Sequence, residues 1–203
     1  DSSAGILYYI PADKVDLSKA QLVVSQRARL VDLTGSQEQP ISWITLEGFT
    51  FRHTDRTFMK TKEPLLRSDW TIYRGGVLTL TGASNCTILN CTFDSPGGNA
   101  VFVNKWNRKI TVKGSHFKEV GASAVAFVGS PDAVRNPKFE YKQKNNYHEI
   151  DKTPGPKSDD YPADCLVEDC LIERTGRIEK QGAGVQMSMA YKVTVRHCSI
   201  YDT

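Results

Sequence analysis

The sequence predicts an all-β chain wound as a solenoid, a parallel β-helix with three short strands in each coil. Three observations predict it: one phrase repeated five times, a third strand at a nearly fixed offset from it, and the columns of like residues that form when the copies are stacked. The copies run Ile44 to Phe51, Cys86 to Phe93, Ile110 to Phe117, Cys165 to Ile172 and Val193 to Ile200. In each, apolar residues alternate over three positions, break at Gly48, Asn90, Gly114, Asp169 or His197, then alternate again in a new phase. Period-2 alternation marks a strand, and a break of phase at a turn residue marks a corner between two of them.

The copies start 42, 24, 55 and 28 residues apart. A bare coil is therefore about two dozen residues, and the longer gaps are coils carrying insertions. A third strand is expected after a small residue followed by Val, at Gly76-Val77, Ala100-Val101, Ala124-Val125 and Gly184-Val185. From three of these valines the next phrase begins 9, 9 and 8 residues later. Successive coils of a parallel β-helix stack about 4.8 Å apart, so equivalent residues form inward columns. One such column is Ile44, Cys86, Ile110, Cys165, Val193; another is Phe51, Phe93, Phe117, Ile172, Ile200. The one stretch with a trace of helical spacing is Ala12 to Ala20.

With 203 residues, the chain reads as one β-helix domain, 1–203, with insertions at about 55–75 and 129–164. Both ends read as cut, because an uncapped coil leaves unpaired edges and an open core; the expectation is a fragment of a longer protein. The net charge is only +3, and no Lys/Arg stripe is interleaved with aromatics, which argues against a nucleic-acid partner. No stretch approaches a membrane span, and none ahead of the repeats reads as a signal peptide. The five cysteines fall on the inward columns and read as small buried hydrophobes. They lack C-x-x-C zinc spacing. Cys170 and Cys198 occupy adjacent coils of one column, where a disulfide is conceivable, but an odd count argues against a disulfide framework.

Chemistry has two places to sit. Outward columns, Glu47, Leu89, Lys113, Glu168, Arg196 and Arg52, Asp94, Lys118, Glu173, Tyr201, read as solvated charge ladders. Insertions are the other place, since solenoids accept them at corners and gather them on one face. The first holds Arg56, Trp70, Tyr73 and Arg74; the second holds Arg135, Tyr147, His148 and Tyr161; a short third, Arg177 to Gln181, carries Glu179. Aromatic faces suit pyranose rings, and charged groups suit hydroxyls or uronates. Asp159, Asp160 and Asp164 could chelate calcium, but no EF-hand-like spacing supports it; no cofactor is expected. His53 opens the first insertion beside Asp55 and Arg56, at the rim where a site would lie. His197 fills a corner position.

Gly5 to Pro11, Glu47 to Thr54, and Gly182 to Val185 ahead of Val193 to Tyr201 resemble secreted bacterial right-handed parallel β-helix carbohydrate-active enzymes. They are similar to the kind represented by glycoside hydrolase family 141. The resemblance covers most of the chain outside 129–164. It implies a secreted or periplasmic enzyme that degrades a polysaccharide, of which this chain is the middle. Its catalytic residues do not carry over by motif. On position alone, Asp94, Glu173 and Glu179 are the candidate catalytic carboxylates. Trp70, Trp106 and Tyr147 are candidate sugar platforms, with His53 and Arg56 as orienting groups. Hydrolysis by paired carboxylates is the leading expectation. The alternatives are a uronate lyase using Lys113, Lys118 or Arg196, and a non-catalytic glycan-binding solenoid.

Overall fold

Laid coil on coil, the repeated phrases pair in the register the sequence predicts. The computed structural model describes residues 3–11, 13, 15–60, 63, 72–140 and 142–203. A first sheet stacks Thr45–Glu47, Thr87–Leu89, Thr111–Lys113, Leu166–Glu168 and Thr194–Arg196. A second stacks Thr50–Arg52, Thr92–Asp94, His116–Lys118, Leu171–Glu173 and Ser199–Tyr201. A third stacks Val31–Thr34, Leu78–Ser84, Val101–Arg108, Val125–Val128 and Val185–Ser188, with two-residue strands Ile41–Ser42 and Pro162–Ala163 beside it. Every pairing is parallel. Three parallel sheets wound from one chain are a parallel β-helix.

The phenylalanine column explains why the coils hold their register. Phe51 faces Phe93 and Phe93 faces Phe117 in the ladder. Their rings stack at centroid distances of 5.0 and 4.8 Å. Phe93, Phe117 and Ile172 are fully buried, and a one-residue slip of any strand would turn this column outward. The cysteines behave as the sequence implies: all five are free, and Cys86, Cys91, Cys165 and Cys170 are buried. Burial pushes the Cys165 and Cys170 thiols up to about 11, which leaves little thiolate for chemistry.

Sharp corners are made by single residues in the left-handed conformation. Gly48, Asn90, Gly114, Asp169 and His197 form one such column, with φ between 52° and 74°. Trp43, Asn85, Lys109, Asp164 and Lys192 form a second, with φ between 49° and 64°. Gly, Asn and Asp tolerate this region best. Trp, His and Lys occupy it here because the hydrogen-bonded coils above and below dictate the turn.

Three expectations are corrected. The register sets Leu78, not Val77, opposite Val101. Val77 lies one position earlier, donating to the Asn99 carbonyl at 3.0 Å, and both residues are buried, so apolarity alone did not distinguish them. A further third-sheet strand, Val31–Thr34, precedes the first recognised coil and pairs with Leu78 to Thr81; its coil lacks the repeated phrase. Within the described residues of 12–20 there is a turn at Leu17 to Lys19, not a helix. Asp16 accepts from Ser18 N and Oγ there and satisfies the turn locally.

The insertions leave from different corners yet meet over the outer face of the third sheet. Ile72, from the first, is buried with Phe102, Ala126 and Val128. Arg74 reaches from the same insertion to Asn104 Oδ1 at 2.9 Å, to the Gly129 carbonyl at 3.0 Å, and to Glu63 at 2.8 Å. Arg108 anchors the second insertion through the carbonyls of Asp159 and Tyr161.

Candidate functional site

The corner between the second and third sheets is built by a third left-handed column: His53, Ser95, Glu119, Arg174 and Asp202, with φ between 50° and 55°. Each directly follows a second-sheet strand whose last residues pair as Arg52, Asp94, Lys118, Glu173, Tyr201. Because the whole column shares the conformation, the positive φ of His53 is a demand of the fold and not strain peculiar to one site. Just beyond it the backbones close to contact distance. A Cβ on Gly97 would lie 2.5 Å from the Asp55 carbonyl, and one on Gly121 would lie 2.5 Å from that of Gly97. Asp55 N donates to the Arg27 carbonyl at 2.8 Å, while Ile178 N and Glu179 N both donate to that of Gly121, at 2.9 and 2.8 Å. A continuous wall thus runs from Arg27 through Asp55, Gly97 and Gly121 to Glu179.

A cleft of about 1070 Å³ opens on this wall. Its lining includes polar His53, Asp55, Arg56, Ser95 and Glu119 and apolar Leu7, Val23, Val24 and Ile178. Asp55 pairs with Lys60, and the hydrogen bond from Lys60 holds its carboxyl below the usual aspartate range. Glu119 pairs with Arg174 and, at 2.9 Å, with Arg177.

Behind the corner the outer face of the second sheet carries a charge ladder. Asp94 lies 3.2 Å from Arg52 and 3.4 Å from Lys118. Burial opposes its ionisation, yet hydrogen bonds from Ser95 and Lys118, with Arg52 nearby, hold it below its ordinary value. Glu173 accepts from Tyr201 Oη at 2.7 Å, lies 2.8 Å from His116 Nε2, and pairs with Arg174 at 3.3 Å. The Tyr201 hydroxyl first, then His116, keep its carboxyl low. Glu179 is opposite in character: burial alone raises it. Desolvation favours the neutral carboxylic acid, whereas hydrogen bonds and cations favour the carboxylate.

The candidates divide as follows. His53 and Arg56 line the cleft. Asp94 and Glu173 stand on the ladder two rungs apart, each in register with Lys118 between them. Glu179 adjoins Ile178, a cleft residue. Trp106 lies on the third sheet, its backbone N–H donating to Asp160 Oδ1 at 2.8 Å and its ring carrying the Arg108 guanidinium at 5.0 Å. Tyr147 is exposed in the second insertion, with Lys152 4.1 Å from its ring centre. The fold does not bring these two to the cleft. Trp70 lies outside the described residues.

Sequence reading passed over Glu119, although it follows Lys118 as His53 follows Arg52, and the column register alone would have found it. Of the acids weighed for calcium, Asp159 accepts from Gln37 at 3.0 Å and pairs with Arg108 at 3.4 Å, and Asp160 is held by Trp106 N. Among the described residues, Glu168, Asp169 and His197 approach within 4.8 Å. Lys113 and Arg196 already neutralise Glu168 at 2.9 and 2.7 Å. No described helix is long and apolar enough to cross a membrane.

No family model and no curated protein matches the chain. Among solved structures, the fold is similar to one described as a glycoside hydrolase, at 14% sequence identity and a TM-score of 0.67, over 93% of this chain and 34% of that one. The chain therefore spans about a third of that structure's length, and what it shares with that glycoside hydrolase is the parallel β-helix fold.

Proposed function

We propose that the protein hydrolyses a glycosidic bond in a polysaccharide at the corner between the second and third sheets. The observation that carries this reading is the cleft on the corner wall, lined by His53, Asp55, Arg56 and Glu119, with Glu179 next to its residue Ile178 and the Asp94 and Glu173 ladder on the strands that lead into the same corner. The directions of the carboxyl pKa values agree with it. Glu179 is raised by burial, while Glu173 and Asp94 are held ionised by hydrogen bonds and cations. Glycoside hydrolysis needs such a division, one proton-bearing carboxyl for the leaving oxygen and one carboxylate for water or the anomeric carbon. In this reading Glu179 is the acid and Glu173 the base or nucleophile, oriented by Tyr201 and His116; Asp94 is the alternative carboxylate. His53 and Arg56 orient the sugar in the cleft, and Trp70, Trp106 and Tyr147 are platforms for more distant units. The fold likeness to a glycoside hydrolase agrees with this but carries little weight, since one fold hosts many activities. A secreted or periplasmic location follows from the same reading.

Lyase chemistry is less well served. It requires a neutral base, and the hydrogen bond that Lys113 donates to Glu168 raises Lys113 and keeps it protonated. Lys118 and Arg196 are paired with Asp94 and Glu168.

The test is a screen of the full-length protein against neutral and uronate-containing glycans, following reducing ends and ultraviolet absorbance together. Reducing ends without new absorbance are expected. Glu179→Gln should then lose about 10²- to 10⁴-fold in turnover of natural glycans and far less on aryl glycosides, whose leaving groups need no proton. Glu173→Gln should lose on both substrates. Turnover untouched by either change would overturn the assignment, unsaturated products would replace hydrolase by lyase, and binding without turnover would leave a glycan-binding solenoid.

A further inference from the structure

A second cavity lies where the second insertion folds back on the third sheet. It measures about 690 Å³, within the roughly 300–1,000 Å³ of small-molecule sites. Tyr161 and Tyr191 line it together with Val134, Arg135, Pro156 and Met189. The two tyrosine rings meet edge to face at 6.5 Å and 79°. Arg108 lies over one face of Tyr161 at 5.3 Å, and Lys192 over one face of Tyr191 at 5.1 Å. The edge-to-face contact takes a face of one of the two rings as well, and Tyr191, 53% exposed, is the ring with surface open to another partner.

The one charged residue among the described residues that line the cavity, Arg135, is already matched. Arg135 pairs with Asp151 and donates to the carbonyls of Gly155 and Pro156 at 3.0 and 3.1 Å. Asp151 is held at about 2, first by Thr153 and then by Arg135, so the pair stays neutral overall at ordinary pH. The guanidinium thus braces the loop and offers no spare positive charge to an anionic ligand.

We propose that this cavity is a second sugar-binding site, taking one neutral pyranose unit of a glycan against the Tyr191 ring. The C–H face of a pyranose matches an aromatic face, and apolar walls with a few fixed polar groups are what such a ligand needs. A uronate would bring a carboxylate to a wall whose one arginine is already neutralised. The site lies apart from the cleft residues and would hold substrate for them; in that respect it rests on the glycan-processing reading.

The test is calorimetric titration of the full-length protein with neutral xylo-, gluco- and manno-oligosaccharides, and with oligouronates of equal length. At least one neutral series should bind. Tyr191→Ala should weaken that binding about 3- to 10-fold, the range that follows from the worth of one aromatic contact. Tyr191→Phe, which keeps the ring, should stay within about 2-fold, and thermal melting of both variants shows that the fold is kept. No binding by any neutral glycan, equal binding in Tyr191→Ala, or a preference for oligouronates would overturn the proposal. Turnover decides the hydrolase reading separately: Tyr191-dependent binding without hydrolysis sinks that reading alone, and hydrolysis with Tyr191-independent binding sinks this one alone.

Discussion

Phe93→Ala is the perturbation that reads most directly whether the stacked column holds the coils together. Phe93 is fully buried and lies between Phe51 at 5.0 Å and Phe117 at 4.8 Å. Truncating a buried Phe costs about 3–5 kcal/mol in lost transfer energy and residual cavity. Here the upper part of that range applies, for two reasons. Both neighbouring rings lose a partner, and the hydrogen-bonded ladder holds the flanking strands about 4.8 Å away on either side, so the cavity cannot close. Against a typical stability of about 5–15 kcal/mol, this is roughly a quarter of the total or more. An exposed aromatic outside the coils is the control: Tyr147 is 68% exposed, so Tyr147→Ala should cost only about 1 kcal/mol or less. Urea unfolding followed by both circular dichroism and tryptophan fluorescence measures the two midpoints. If Phe93→Ala lost less than about 2 kcal/mol, or no more than Tyr147→Ala, the column would not be the source of cohesion.

Acid should act on the two kinds of carboxyl with opposite sign. Glu173 lies below its ordinary 4.5, so its stabilising effect is present above that value and is lost as pH falls through its folded value. Glu179 lies above it, so deprotonation on raising pH weakens the fold. At pH 7 Glu173→Gln should therefore be less stable than the parent and Glu179→Gln equally or more stable, as read from melting temperatures; the reverse order would contradict the assigned environments. Gly97→Ala places a Cβ 2.5 Å from the Asp55 backbone and should cost about 1–3 kcal/mol. It should also shift the tryptic cleavage pattern around Arg56, and a variant as stable as the parent would show that the corner wall is loose. Arg108→Ala removes the ties to Asp159 and Tyr161. It should speed proteolysis within 129–164 while leaving the far-ultraviolet spectrum of the sheets unchanged, and unaltered cleavage would mean that other contacts hold the loop.

Most of the coil architecture was legible in the residues. The alternation in Ile44 to Phe51 and its four copies set which side chains face inward, and the parallel ladder then forced equivalent residues into register. Period 2 and a fixed rung spacing leave a repeated strand few other arrangements. The corner breaks at Gly48, Asn90, Gly114, Asp169 and His197 were readable for the same reason. The site was readable only in part. His53 and Arg56 could be placed at a rim because they follow a strand of known register. Sequence could not show that Leu7, Val23 and Val24 would also line the cleft, since the segment before Val31 carries no repeat. Nor could it distinguish Glu173, held ionised by Tyr201 from another coil, from Glu179, desolvated in a loop. Tyr161 and Tyr191 meet across thirty residues because the second insertion folds back on the coil. Inward and outward faces are local properties of a strand and repeat with it. Burial, ion pairing and the closing of a cavity depend on which segments happen to pack together, and those were decided only in three dimensions.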